Sequence, residues 1–163
     1  MALSKSEIET LETSLGNWFH EAYGQVFRLD HFALPSDYQQ FLMDDRLNKE
    51  AVKDFSWYQK DQSILDNTKF FMKPEKITLD YSNNTFYYHR PSRGKRKKGM
   101  WIPVAEWRDR DTLWLCCHAD HRFFGKVRNT FDGHPWDHNS VTYSFDSFTA
   151  CMEWWVEKFE VDA

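Results

Sequence analysis

Apolar residues recur at helical spacing near the start of the chain, at Ile8, Leu11, Leu15, Trp18, Phe19 and Ala22. A repeat of three to four residues predicts an amphipathic helix. Ser6 and Glu9 have capping-box spacing for its start, and Gly24 suits its end. A second helix is expected to open at Leu34-Pro35-Ser36, with Ser36 and Gln39 as a further capping box and Tyr38, Phe41 and Leu42 as its apolar stripe. Residues 47–72 are ambiguous: Leu47, Ala51, Val52 and Phe55 suggest a helix, whereas Ile64, Leu65, Phe70 and Phe71 fit helix or strand.

From Lys76 the period changes to two. Ile77, Leu79 and Tyr81 alternate with polar residues, and Asn83-Asn84 offers a tight turn into Thr85-Phe86-Tyr87-Tyr88-His89. A short strand is expected near Trp101-Ile102, with Pro103 confining the next segment to an edge or a bulge. Thr112-Leu113-Trp114-Leu115-Cys116-Cys117 is apolar on both faces, as a central strand covered on both sides would be. Residues 123–131 alternate, Val141, Tyr143 and Phe145 suggest one more strand, and Phe145, Phe148, Met152, Trp155, Val156 and Phe159 form the stripe of a closing helix. The order predicts an α+β fold: one domain over residues 1–163, with N-terminal helices, a mostly antiparallel meander and a C-terminal helix.

Composition narrows the class. Aromatic residues make up 18% of the 163 residues, more ring surface than a disordered chain could carry. No apolar run reaches the roughly 18–20 residues that span a bilayer, and the N-terminal segment turns acidic at Glu7 where a signal peptide would be apolar. A soluble, cytoplasmic protein is expected. The three cysteines, Cys116, Cys117 and Cys151, do not form a disulfide framework. Charge is uneven: Arg90, Arg93, Lys95, Arg96, Lys97 and Lys98 lie together without an acid, which leaves 15 basic against 25 acidic groups elsewhere. An acidic bulk disfavours general nucleic-acid binding. The basic segment 93–98 either grips an acidic or phosphate-bearing partner or is a charged hairpin tip.

Cys116, Cys117, His118, Asp120, His121, Asp132, His134, Asp137 and His138 are dense enough to raise a metal hypothesis, and with it a metal-dependent hydrolase. Zinc needs about four converging ligands. A strand over residues 123–131 would hold the two histidine clusters about 25–30 Å apart, at roughly 3.3 Å per residue. Neither cluster has the spacing of a known zinc motif. No Gly-x-Ser-x-Gly elbow, P-loop or dinucleotide fingerprint is present. No catalytic residue, metal or cofactor is therefore expected. Trp136 stands in a polar loop, Asp132-Gly133-His134-Pro135-Trp136-Asp137-His138, where it is either folded back under the sheet or offered to a partner.

Three stretches resemble the SUKH superfamily, the domain of the Smi/Knr cell-wall regulators. They are Leu34-Pro35-Ser36-Asp37-Tyr38-Gln39-Gln40-Phe41-Leu42; Trp114-Leu115-Cys116-Cys117 followed by Phe124-Gly125-Lys126-Val127; and Asp132-Gly133-His134-Pro135-Trp136 leading to Tyr143-Ser144-Phe145-Asp146-Ser147-Phe148. Together they span about residues 6–159. The chain departs from the family at Met43-Asp44-Asp45-Arg46-Leu47-Asn48, where an Asn-Gly-Gly turn is common. The resemblance implies an α+β fold without catalytic residues. It also implies one of two roles: a bacterial immunity protein that neutralises a secreted toxin, often a nuclease or deaminase, or a regulatory scaffold of the cell-wall-regulator type. A simple meander alternates its loops between two ends. It would gather Asn83-Asn84, the loop 106–111 and the loop 132–138 at one end, with the loops 91–99 and 118–122 at the other. Glu106, Trp107, Asp109, Asp111, Asp132, Trp136 and Asp137 would then form a partner-binding face, two aromatic anchors within an acidic rim. Such a rim would suit a basic, nucleic-acid-cleaving toxin.

Overall fold

In the computed structural model the described residues are 2–24, 27–45, 53–73, 76–80, 85–88 and 99–161. Helix α1 spans Lys5–Tyr23 and closes on Gly24, whose φ of 64° is a conformation that favours glycine. Its capping box is Ser4 with Glu7, not Ser6 with Glu9: the Ser4 hydroxyl accepts from the Glu7 amide at 3.1 Å, and the Ser4 amide donates back to Glu7 Oε1 at 3.0 Å. Both pairs have the right spacing, so the flanking residues decide. A start at Ser4 puts Leu3 and Ile8 at the two staple positions, and both are buried, whereas a start at Ser6 would put Lys5 and Thr10 there. Helix α2 spans Ser36–Met43 after Pro35, without the expected box at Ser36; Gln39 instead donates from Nε2 to the Leu34 carbonyl at 2.7 Å. Tyr38, Phe41 and Leu42 are its buried stripe, as the pattern predicts.

The ambiguous stretch resolves into strand β1, Phe55–Trp57, and helix α3, Asp61–Met72. Phe55 is thus in a strand, and residues 46–52 lie outside the described residues. Among the described residues, strands β2 (Lys76–Asp80) and β3 (Thr85–Tyr88) pair with each other alone. The main sheet adds β4 (Trp101–Trp107), β5 (Asp111–Cys116), β6 (Val127–Phe131) and β7 (Val141–Phe145), in the antiparallel order β1-β4-β5-β6-β7. Pro103 sits at a register shift between β4 and β5, the bulge expected of it. Strand β6 is five residues long, because residues 121–125 form turns. Helix α4, Phe148–Lys158, closes the fold.

Both faces of the sheet are covered. On one, Phe55 and Trp57 meet Trp155 and Phe148 of α4 at ring separations of 6.0 and 5.7 Å, and Phe41 of α2 reaches Trp57 at 4.9 Å. On the other, Phe71 of α3 packs edge-on to Trp114 at 5.9 Å, and α3 in turn packs against α1. Between these layers β5 is almost wholly buried, as its unbroken apolar run requires.

Candidate functional site

The loop end of the sheet is held together by backbone bonds. The β4–β5 turn, residues 108–110, starts at Arg108, whose φ of 53° lies in the left-handed region. Its amide donates to the Asp54 carbonyl at 3.1 Å, next to Lys53 and Asp54 in the same conformation. Asp132, also left-handed at 56°, donates from its amide to the Arg110 carbonyl at 2.9 Å. The loops 106–111 and 132–138 therefore do share one end. The expected third member, Asn83-Asn84, lies outside the described residues, and its flanking strands belong to the separate two-stranded sheet. The β5–β6 connection lies at the opposite end, where the Cys117 amide donates to the Met100 carbonyl at 2.8 Å. Residues 91–98 of the basic loop lie outside the described residues.

Under the turn lies a polar network built around Asn129. Its Oδ1 accepts from Trp107 Nε1 at 2.7 Å, and its Nδ2 donates to Asp111 Oδ1 at 2.8 Å and to Thr142 Oγ1 at 2.6 Å. Asp111 Oδ2 then meets Arg108 Nε at 3.0 Å, and the Arg108 guanidinium lies 3.8 Å from the centroid of the Trp107 ring. Trp107 and Asp111 are 4% and 3% exposed, which removes both from the expected partner-binding face. They support the turn from below; the aromatic ring packs inward because Trp107 shares a face with Phe55 and lies under α4.

On the opposite face of the same end is a concavity of about 310 Å³. Its wall is aromatic, from Phe71, Trp114 and His134, and the exposed residues Glu106, Asp109 and Asp132 lie around it with one guanidinium, Arg110. Arg110 pairs with Asp132 at 3.5 Å, and Asp111 with Arg108. Glu106 and Asp109 have no ion pair among the described residues. Glu106 accepts a hydrogen bond from the Tyr58 hydroxyl at 3.3 Å; burial, and then the neighbouring carboxylate, push that phenol well above its ordinary value. Exposed Glu106, Asp109 and Asp132 are thus the expected residues that the fold brings together on an open surface.

The loop 132–140 folds back along this face. Thr130 Oγ1 accepts from Trp114 Nε1 at 2.8 Å and donates to the Gly133 carbonyl at 2.9 Å, and Arg128 donates to the Pro135 carbonyl at 2.9 Å. Trp136 stacks on His134, 4.6 Å between centroids and 6° from parallel, and is half-buried against the core. Of the two alternatives it takes the folded-back one. Asp137 is exposed, but its carboxylate is engaged in capping Asn139 and Ser140 at 3.2 and 2.9 Å. Pattern reading missed Phe71 and Asn129, and named His134 as a metal candidate rather than as part of this wall. A polar Asn129 within an alternating strand was the one available signal, since a buried amide needs partners.

The thiols are poor nucleophiles. All three cysteines are free and buried; burial pushes Cys116 up to about 12 and raises Cys117 and Cys151 as well. Among the described residues no three His, Cys, Asp or Glu side chains converge as a metal site would require. Nor is any described helix long and apolar enough to cross a membrane. No family model, curated protein or solved structure matches the chain.

Proposed function

We propose that this chain is a non-enzymatic protein-binding module of the immunity type, neutralising a cognate toxin by occluding its working surface. The observation that supports the reading is the loop end: an aromatic-walled concavity rimmed by the exposed carboxylates Glu106, Asp109 and Asp132 on a rigid, hydrogen-bonded frame. A preformed rim loses little entropy on binding, and its excess of negative charge steers a basic partner. A nuclease that must attract phosphate carries that basic surface. The stretches that resemble SUKH proteins are in keeping with a binding role, either immunity protein or scaffold.

The test is genetic and biophysical together. The gene beside this one is expected to encode a toxic domain, and co-expression of the chain should restore growth to cells producing it. Glu106→Gln, which keeps an acceptor for the Tyr58 hydroxyl, with Asp109→Lys should abolish rescue and weaken binding at least tenfold with little change in melting temperature, since both side chains are exposed. Full rescue by this double variant would overturn the proposed face. An isolated locus whose product docks a cellular protein without inhibiting it would replace the immunity role with that of a regulatory scaffold.

A further inference from the structure

The β5–β6 connection, at the other end of the sheet, crowds cations around one ring. The Arg128 and Arg122 guanidinium carbons lie 4.2 and 4.6 Å from the centroid of Phe123, and Lys126 Nζ lies 5.8 Å from it. Arg128 also faces the Trp101 ring at 5.9 Å. Cations over aromatic faces are individually favourable, but three of them around one ring repel each other. Counter-charge is scarce. Lys126 reaches Asp146 at 3.6 Å, a carboxylate that is 97% exposed, while Arg122 and Arg128 have no ion pair among the described residues. Half-buried Arg128 is further destabilised as a cation by desolvation and by Arg122.

The cluster is also held in place. Arg128 is fixed by its bond to the Pro135 carbonyl, and Gly125, at a φ of 81°, shapes the turn that sets Lys126 beside Phe123. His121 completes the surround, its ring 5.3 Å from Phe123. Gly99, at a φ of 84°, packs against His121 and Trp101 at the edge of this patch. In a chain of net charge −4, so concentrated a set of cations is an unbalanced local field.

We infer that Arg122, Lys126 and Arg128 form a binding site for a phosphate-type oxyanion, distinct from the acidic loop end. A phosphoryl group would supply the missing counter-charge. Its oxygens accept from a planar guanidinium in pairs, and both guanidinium groups already lie against the Phe123 ring. The group could come from a terminal phosphate monoester or from a phosphodiester backbone; the shared chemistry is the same.

Titration of the whole chain with inorganic pyrophosphate, at constant ionic strength and against sulfate, tests it by calorimetry. Saturable binding should appear with pyrophosphate and weaken about tenfold or more in Arg122→Gln, whose side chain is exposed and whose loss leaves the fold intact. Lys126→Gln should weaken it less, since a single ammonium is a point charge. An unphosphorylated single-stranded oligonucleotide separates the sources: binding at the same site indicates a phosphodiester, and failure to bind alongside pyrophosphate binding indicates a monoester. No binding beyond that of sulfate, or equal binding by Arg122→Gln, overturns the site.

Discussion

Asn129 is fully buried and uses both ends of its amide: one acceptor bond from Trp107 and two donor bonds, to Asp111 and Thr142. Those bonds decide what the loop end looks like, because Trp107 and Asp111 can stay inside only while each has a partner. Asn129→Leu preserves volume but leaves the indole N–H and a carboxylate oxygen without partners in the interior. A loss of about 2–4 kcal/mol is expected, measured by urea unfolding at neutral pH. A loss under about 0.5 kcal/mol would mean that water reaches the network. The same residue shows why the expected binding face holds only in part. Sequence places Trp107 and Asp111 next to an exposed turn, and adjacency to a turn looks like exposure. The register Phe55↔Trp107 and the amide of Asn129 bury both, and neither can be read from local pattern.

At the scale of elements, the apolar period of the helices was legible and the N-terminal caps were not: both expected boxes, Ser6 with Glu9 and Ser36 with Gln39, gave way to other hydrogen bonds. Helices α1, α2 and α4 announced themselves by their apolar stripes, and β5 by its unbroken apolar run. Strand β1 was not legible: three residues are too few for a period, and Phe55 and Trp57 become a strand only by pairing with β4. Pairing also took the β2–β3 hairpin out of the main sheet, which local alternation could not foresee. The loop 132–140 depends on a close approach instead. A Cβ on Gly133 would lie 2.1 Å from Ser140 Oγ and 2.5 Å from Ser140 Cβ. Gly133→Ala is therefore expected to destabilise by about 1–3 kcal/mol through overpacking. Ser140→Gly removes both obstructing atoms, so the double variant should be more stable than the sum of the single losses predicts. Strict additivity in that cycle, read from thermal melts, would show that the loop tolerates the added methyl by moving as a whole.

For the molecule as a whole, α+β architecture with a main antiparallel sheet between helices was readable from element order, because few layered arrangements bury these faces. What order could not convey is how many titratable groups the layers enclose. Tyr38 and the three thiols are buried in the core, and Tyr58 lies at its edge; burial raises all five, Cys116 to about 12. The linkage has one sign for all of them. Each is neutral when protonated, and its folded value exceeds its unfolded value, near 9 for a thiol and 10 for a phenol. Below those unfolded values the stabilisation is fully present. As pH rises past them the unfolded chain releases protons that the folded core retains, and stability falls until the folded groups ionise too. Each unit of separation corresponds to about 1.4 kcal/mol per group. Urea midpoints are thus expected to hold steady between pH 7 and 8.5 and to fall steeply from pH 9 to 11. Replacing Cys151, which lies apart from the Cys116–Cys117 pair on α4, by Ala removes one contributor and should make that fall shallower while costing some packing at neutral pH. An unchanged slope in Cys151→Ala would mean that its thiol ionises in place, and that burial in this core is far less complete than its packing indicates.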